Sequence, residues 1–245
     1  MLIPIMVLVV ALVVSGCSSQ RVALTDELAV HTHTLPFALN GGYELGSIVT
    51  LDSEGLPQLI AGKGTLLGKV RTEGDRIPLP SATFDRTGVL MASVSANPTF
   101  ANHPQLKANL KNLDSFTLEV AQWSKQFIKE GPMAFERWLS DKNPDVRQER
   151  QDIIRNLEHL ADNEDIYYIY EVIEVQEGSY HAKWKTHVDE QATGQMFRAV
   201  GLTNSITSDN SQQATAKITR PTLVAYRAHR WKIDRLRKAI LDNPQ

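Results

Sequence analysis

A chain of 245 residues has room for one large domain or two small ones. With 42% hydrophobic and 22% charged residues and a formal net charge of −2, it is not disordered throughout, not collagen-like and not a multi-span membrane protein.

The chain opens on an uncharged apolar run from Leu2 to Val14 (LIPIMVLVVALVV) with no Lys or Arg before it. A spanning helix needs roughly 17–25 apolar residues, whereas the apolar part of a secretory leader takes about 7–15 and ends in small side chains. Ser15 and Gly16 supply those small side chains, and Cys17 follows. The tetrad Val14-Ser15-Gly16-Cys17 resembles the lipobox of bacterial lipoproteins. The resemblance implies a signal peptide over 1–16, cleavage between Gly16 and Cys17, a diacylglycerol thioether on Cys17 and acylation of the freed amino group. It also implies that Ser18, standing where an Asp would retain the protein in the inner membrane, accompanies sorting to the outer membrane, facing the periplasm. Two or more acyl chains anchor stably where one does not, so the implied partner is the lipid bilayer itself. Cys17 is the only cysteine, which leaves no internal disulfide to form and no thiolate zinc site to build.

Residues 17–38 are polar and without sustained period, and are expected to form a lipidated tether to a single domain over 39–245. From Tyr43 to Val70, short apolar stretches alternate with Ser53-Glu54-Gly55 and Gly62-Lys63-Gly64, which predicts hairpins. Residues 71–104 read as loops with one strand at Gly88–Val94. Leu106, Leu110, Leu113, Phe116, Val120, Trp123 and Phe127 recur at steps of three and four, predicting one helix that stops at Gly131-Pro132. A short helix with Phe135, Trp138 and Leu139 is expected next. Asn143-Pro144 then opens a third helix carrying Val146, Ile153, Leu157 and Leu160.

Beyond Asn163, Ile166–Val175 is aromatic and β-branched enough for a strand, Gly178 reads as its turn and Tyr180–Val188 as its partner. Residues 201–213 read as a polar loop and Ala214–Ile233 as extended chain broken at Pro221; a short basic helix from Asp234 to Leu241 closes the pattern. The predicted class is α+β: N-terminal hairpins, a central cluster of about three helices, then C-terminal antiparallel strands and the basic helix.

Charge is placed unevenly. Residues 158–177 carry Glu158, Asp162, Glu164, Asp165, Glu171, Glu174 and Glu177 with no Lys or Arg, whereas 217–238 carry Lys217, Arg220, Arg227, Arg230, Lys232, Arg235, Arg237 and Lys238 against Asp234 alone. Two accounts stand side by side. The blocks pair across strands, each ion pair contributing at most about 1 kcal/mol; or the basic block, from Arg220 to Lys238, meets anionic headgroups or a partner at about 1 kcal/mol per residue.

Other motifs are incomplete. His31 with His33, or His181 with His187, could each begin a zinc site, but two ligands do not make one. Gly62 to Val70 has neither the glycine spacing nor the hydroxyl of a phosphate-binding loop, and neither GxSxG nor Ser-x-x-Lys occurs. No cofactor, catalytic residue or metal ligand is therefore assigned.

The strand at Ile166–Val175, a basic strand at His181–His187, a Ser/Thr-rich loop and the segment Lys217–Ile233 resemble the strand order of the N-terminal pore-forming domain of gasdermins. That resemblance implies paired strands that extend into a membrane barrel, with basic residues reading acidic lipids. The leading expectation is a lipid-anchored component of the bacterial cell envelope that binds or scaffolds, with envelope proteins as partners and no nucleic acid. A gasdermin-like pore former is the first alternative, and an envelope enzyme with a dispersed site the second.

Overall fold

A strand of 20 residues, Asp165–Trp184, organises the fold. The structure, a computed structural model, describes residues 26–37, 39, 42–52, 56–61, 75–95, 104–158, 160, 164–188, 190–199, 202, 206–210 and 212–241; the leader and Cys17 lie outside them. In chain order the elements are α1 (Glu27–Thr32), β1 (Leu35–Pro36), β2 (Ile48–Leu51), β3 (Pro57–Ala61), β4 (Asp75–Leu79), β5 (Ala82–Asp85), α2 (Thr87–Ser95), α3 (Pro104–Lys111) and β6 (Leu113–Phe127). There follow α4 (Met133–Ser140), α5 (Pro144–Asn156), β7 (Asp165–Trp184), α6 (Glu190–Ala199), β8 (Ile206–Asn210), β9 (Gln213–Ile218), β10 (Thr222–Lys232) and α7 (Ile233–Leu241). The class is α+β, with helices on one antiparallel sheet.

Each edge of β7 is shared by two strands. On one side β2 pairs at Tyr167–Tyr168 and β6 from Glu171 to Trp184; on the other β10 pairs from Asp165 to Val175 and β9 from Gly178 to Lys183. β4 and β5 lie outside β6, β3 outside β2, β8 outside β9 and β1 outside β10. Aromatic and β-branched residues sustain this length because Ile169, Val172, Ile173 and Val175 are all buried mid-strand.

Several expectations are corrected. Gly178 is not a turn but a point of close approach to β6, since a Cβ there would stand 2.5 Å from the Glu119 carbonyl oxygen. Ile166–Val175 and Tyr180–Trp184 are therefore one strand rather than partners, and the gasdermin-like pattern drawn over two strands there falls on β7 alone. The helix expected over Leu106–Phe127 is α3 followed by β6. In β6 the period is two, with Phe116, Leu118 and Val120 buried, and an irregularity between Val120 and Trp123 returns Trp123 to the core. That bulge imitates the three-residue step of a helical stripe, but the stripe leaves out the fully buried Leu118.

Gly88–Val94 is helical, within α2: the Asp85 carboxylate accepts from the Thr87 N–H and hydroxyl, satisfying a donor at the helix start. Residues 71–104 hold β4 and β5, and Pro78 is tolerated because β4 is an edge strand. Residues 206–210, expected in a loop, pair with β9 as a hairpin. Residues 26–37 of the expected tether are packed structure, with Leu28 and Phe37 fully buried.

The hairpin β2–β3, helices α4 and α5, the break at Pro221 and the terminal helix α7 stand where the sequence places them. Two cores result. One joins Leu28, Val89, Leu90, Leu106 and Phe197 from α1, α2, α3 and α6 to the β6–β7–β9 half of the sheet. The other joins Phe135, Trp138, Ile153 and Leu236 from α4, α5 and α7, with Leu157 just past α5, to Tyr168, Val172 and Tyr226.

Candidate functional site

The acidic and basic blocks meet, because β10 pairs with β7 in a register that sets Arg227 opposite Glu171 and Lys232 opposite Asp165. Asp165 binds both Arg230 and Lys232, the latter at 2.8 Å. Partial burial pushes its carboxyl up, but the hydrogen bonds and charges of these two cations outweigh that and hold it below the ordinary aspartate value. Glu171 is buried, with Lys125 Nζ and Arg227 each 3.5 Å from its Oε2. Glu174 pairs with Arg76 at 2.9 Å.

Arg227 also donates to the Thr32 and His33 carbonyls, Arg237 donates to those of Leu157 and Leu160, and Lys238 pairs with Asp234 at 3.7 Å. Of the basic residues singled out by sequence, Lys217, Arg220 and Arg235 are exposed and make no side-chain ion pair among the described residues. The block thus serves first to neutralise β7, and free cationic surface is left at those three positions.

A second polar arrangement lies on the outer face of the other half of the sheet. Strand register aligns Ser115, Lys183 and Gln213 in one row across β6, β7 and β9, and Thr117, His181 and Thr215 in the next. Phe116, Ala182 and Ala214, which alternate with them, are buried on the opposite face. The two rows line a shallow groove of about 210 Å³. Within it His181 Nδ1 stands 3.1 Å from Thr215 Oγ1, and Nε2 stands 3.2 Å from Glu119.

This hydroxyl–imidazole–carboxylate chain has the order of a nucleophilic relay, yet the backbone amides around it are spent on the β5–β6–β7–β9–β8 ladders. Acyl transfer needs N–H donors aimed at the developing oxyanion, and a continuous sheet face has none to spare. What the groove does offer is hydroxyl, amide, imidazole and ammonium groups for binding a polar ligand. Period-two polarity in Ser115/Thr117 and Gln213/Thr215 is the sequence signal that marks it.

The histidines do not converge. His31 lies in α1, His33 is its left-handed C-cap (φ 55°), and His187 lies past the end of β7. Among the described residues no group of three or more His, Cys, Asp or Glu side chains is placed to hold a metal ion.

At the N-terminus, Asp26 caps α1 by accepting from the Ala29 N–H at 2.8 Å and pairs with Arg86 Nε at 2.8 Å, both side chains being fully buried. Arg86 in turn donates to the Val224 carbonyl. Burial raises the Asp26 carboxyl above the ordinary aspartate value, although the Arg86 charge and the Ala29 N–H draw it down. The pair fastens the first described residues to β5 and β10.

No family model and no curated protein sequence matches the chain. Among solved structures, the chain is similar to a bacterial gasdermin from Bradyrhizobium tropiciagri, at 8% identity and a TM-score of 0.42, over 80% of this chain and 79% of that one.

Proposed function

We propose that the chain is a lipid-anchored protein of the bacterial cell envelope, held at the periplasmic face of the outer membrane, whose folded domain acts by binding. The observation that carries this reading is the apolar run ending in Val14-Ser15-Gly16-Cys17, nine residues ahead of Asp26, which is packed in the folded domain. At roughly 3.3–3.6 Å per residue the chain from Cys17 to Asp26 spans at most about 30 Å, so an acylated Cys17 keeps the domain at the membrane surface. The groove lined by Ser115, Thr117, His181, Lys183, Gln213 and Thr215 supports binding as its mode of action.

Cell fractionation tests the anchor: wild type is expected in the outer membrane and resistant to alkaline washing, and Cys17→Ser in soluble material. Wild type found soluble, or the variant retained in the membrane, would overturn it. Turnover of peptidoglycan, lipid or peptide substrates by the purified protein would replace the binding role with that of an envelope enzyme.

Strand length favours a second reading, a gasdermin-like membrane-active protein. β6 and β7, of 15 and 20 residues, exceed the about 9–11 that a membrane-crossing strand takes. Over 115–120, 179–184 and 213–217 they and β9 alternate buried apolar with outward polar residues, the pattern of barrel strands. Among the described residues no helix is long and apolar enough to cross a membrane, which leaves strands untouched by that criterion. Dye release from anionic liposomes, lost on Arg220→Glu with Arg235→Glu, is expected under this reading and absent under the first. Those positions suit the test because reversing Arg227 would leave Glu171 facing a second buried acid.

A further inference from the structure

Resting on the lipid-anchored reading, we propose that the exposed face of α1 and α2 is the surface that lies on the bilayer, with Val30 and Met91 entering the headgroup boundary. The polar groove is thereby turned away from the membrane.

The root of the tether is fixed in place. Asp26 is buried and tied to Arg86, Leu28 and Ala29 are buried, and Arg227 clamps the Thr32 and His33 carbonyls at the far end of α1. The chain coming from Cys17 therefore enters at a rigid point, and its reach of about 30 Å confines the side of the domain that meets the membrane to the surroundings of that point.

Those surroundings expose apolar side chains among Glu27, His31 and His33. Leu28 of α1 packs in the same core as Val89, Leu90 and Val94 of α2, so the two helices belong to one layer on one face of the sheet. Outward from that layer stand Val30, 53% exposed, and Met91, 44% exposed. α2 (TGVLMASVS) carries no charged residue along its whole length, although Met91 faces solvent. α2 turns Val89, Leu90, Ala92, Ser93 and Val94 inward and leaves Met91 exposed, so that Met91 together with Val30 can enter a lipid interface near an acyl anchor. Of the nearby charges, Glu27 is occupied in accepting from the Asp85 N–H. The groove residues stand on the opposite face, since Ala182 points into the core shared with α1 and α2 while Lys183 points away, its side chain 56% exposed.

The test uses full-length protein extracted from membranes and reconstituted in phosphatidylethanolamine–phosphatidylglycerol vesicles, with intact mass first read to show the acyl groups on Cys17. Single variants Val30→Cys, Met91→Cys and Lys183→Cys, all at exposed positions, are labelled with an environment-sensitive fluorophore and titrated with headgroup-nitroxide lipid. Strong loss of fluorescence at 30 and 91 with none at 183 is the expected result. Quenching at 183, or equal quenching at all three, overturns the orientation and leaves the anchor standing. A blue shift at 30 and 91 without nitroxide quenching shows a protein covering the face and also overturns it. Absence of acyl mass on Cys17 overturns the anchor and the orientation together.

Discussion

Arg86 is among the largest fully buried side chains, and its charge is tolerable only because Asp26 lies 2.8 Å away and Val224 offers a carbonyl. Removing one member of such a pair strands the other, so Asp26→Ala should cost about 3–5 kcal/mol in urea unfolding, whereas Asp26→Leu with Arg86→Met should recover most of it. A double variant no more stable than the single one would contradict this. Gly178 makes a sharper steric case. With the Glu119 carbonyl 2.5 Å from the position of a Cβ, Gly178→Ala must push β6 away from β7 and is expected to cost about 1–3 kcal/mol, read from the same denaturation midpoint. Neither residue's role is legible in the sequence: Arg86 sits in an ordinary polar stretch, and Gly178 has the surroundings of a turn.

Where local chemistry settles the structure, elements were readable: Asn143-Pro144 starts α5, Ser53-Glu54-Gly55 separates β2 from β3, and Pro221 breaks the extended segment before β10. Where partners settle it, they were not, because a bulged strand and a helix share the steps linking Leu113, Phe116, Val120 and Trp123. Leu118 distinguishes the two. Leu118→Ala should cost about 2–5 kcal/mol, while Glu119→Ala, exposed on the same strand, should stay within about 0.5 kcal/mol. Equal small effects would speak for a helix.

The pairing of β7 with β10 carries a pH signature. Asp165 is held below the ordinary aspartate value of 3.8, so the folded state releases its proton more readily than the unfolded one. Its contribution is present above pH 3.8 and fades as pH falls below that, towards the depressed folded value. Asp165→Asn should therefore flatten the acid limb of the stability profile in that window and lower stability at neutral pH. An unchanged acid limb would show that the ion pairs to Arg230 and Lys232 contribute nothing. The sequence showed both charge blocks but not their contact, since register depends on a β-bulge at each of two places along the pair.

For the molecule as a whole, the two cores lie on opposite faces of the sheet, since neighbouring Val172 and Ile173 of β7 enter different ones, and the polar groove lies across the sheet from α1 and α2. The candidate groove was legible only as alternating polar residues in three separated strands, and its assembly depends on long-range pairing that no local signal records. The proposed address, by contrast, rests on consecutive residues from Leu2 to Cys17. The proposed anchor and orientation both depend on Cys17 being the membrane attachment. Intact-mass spectrometry of protein extracted from the cell envelope measures this most directly. The account predicts a mature chain beginning at Cys17 with diacylglyceryl and amide-linked acyl mass added; a chain still carrying the leader, or an unmodified Cys17, would contradict it.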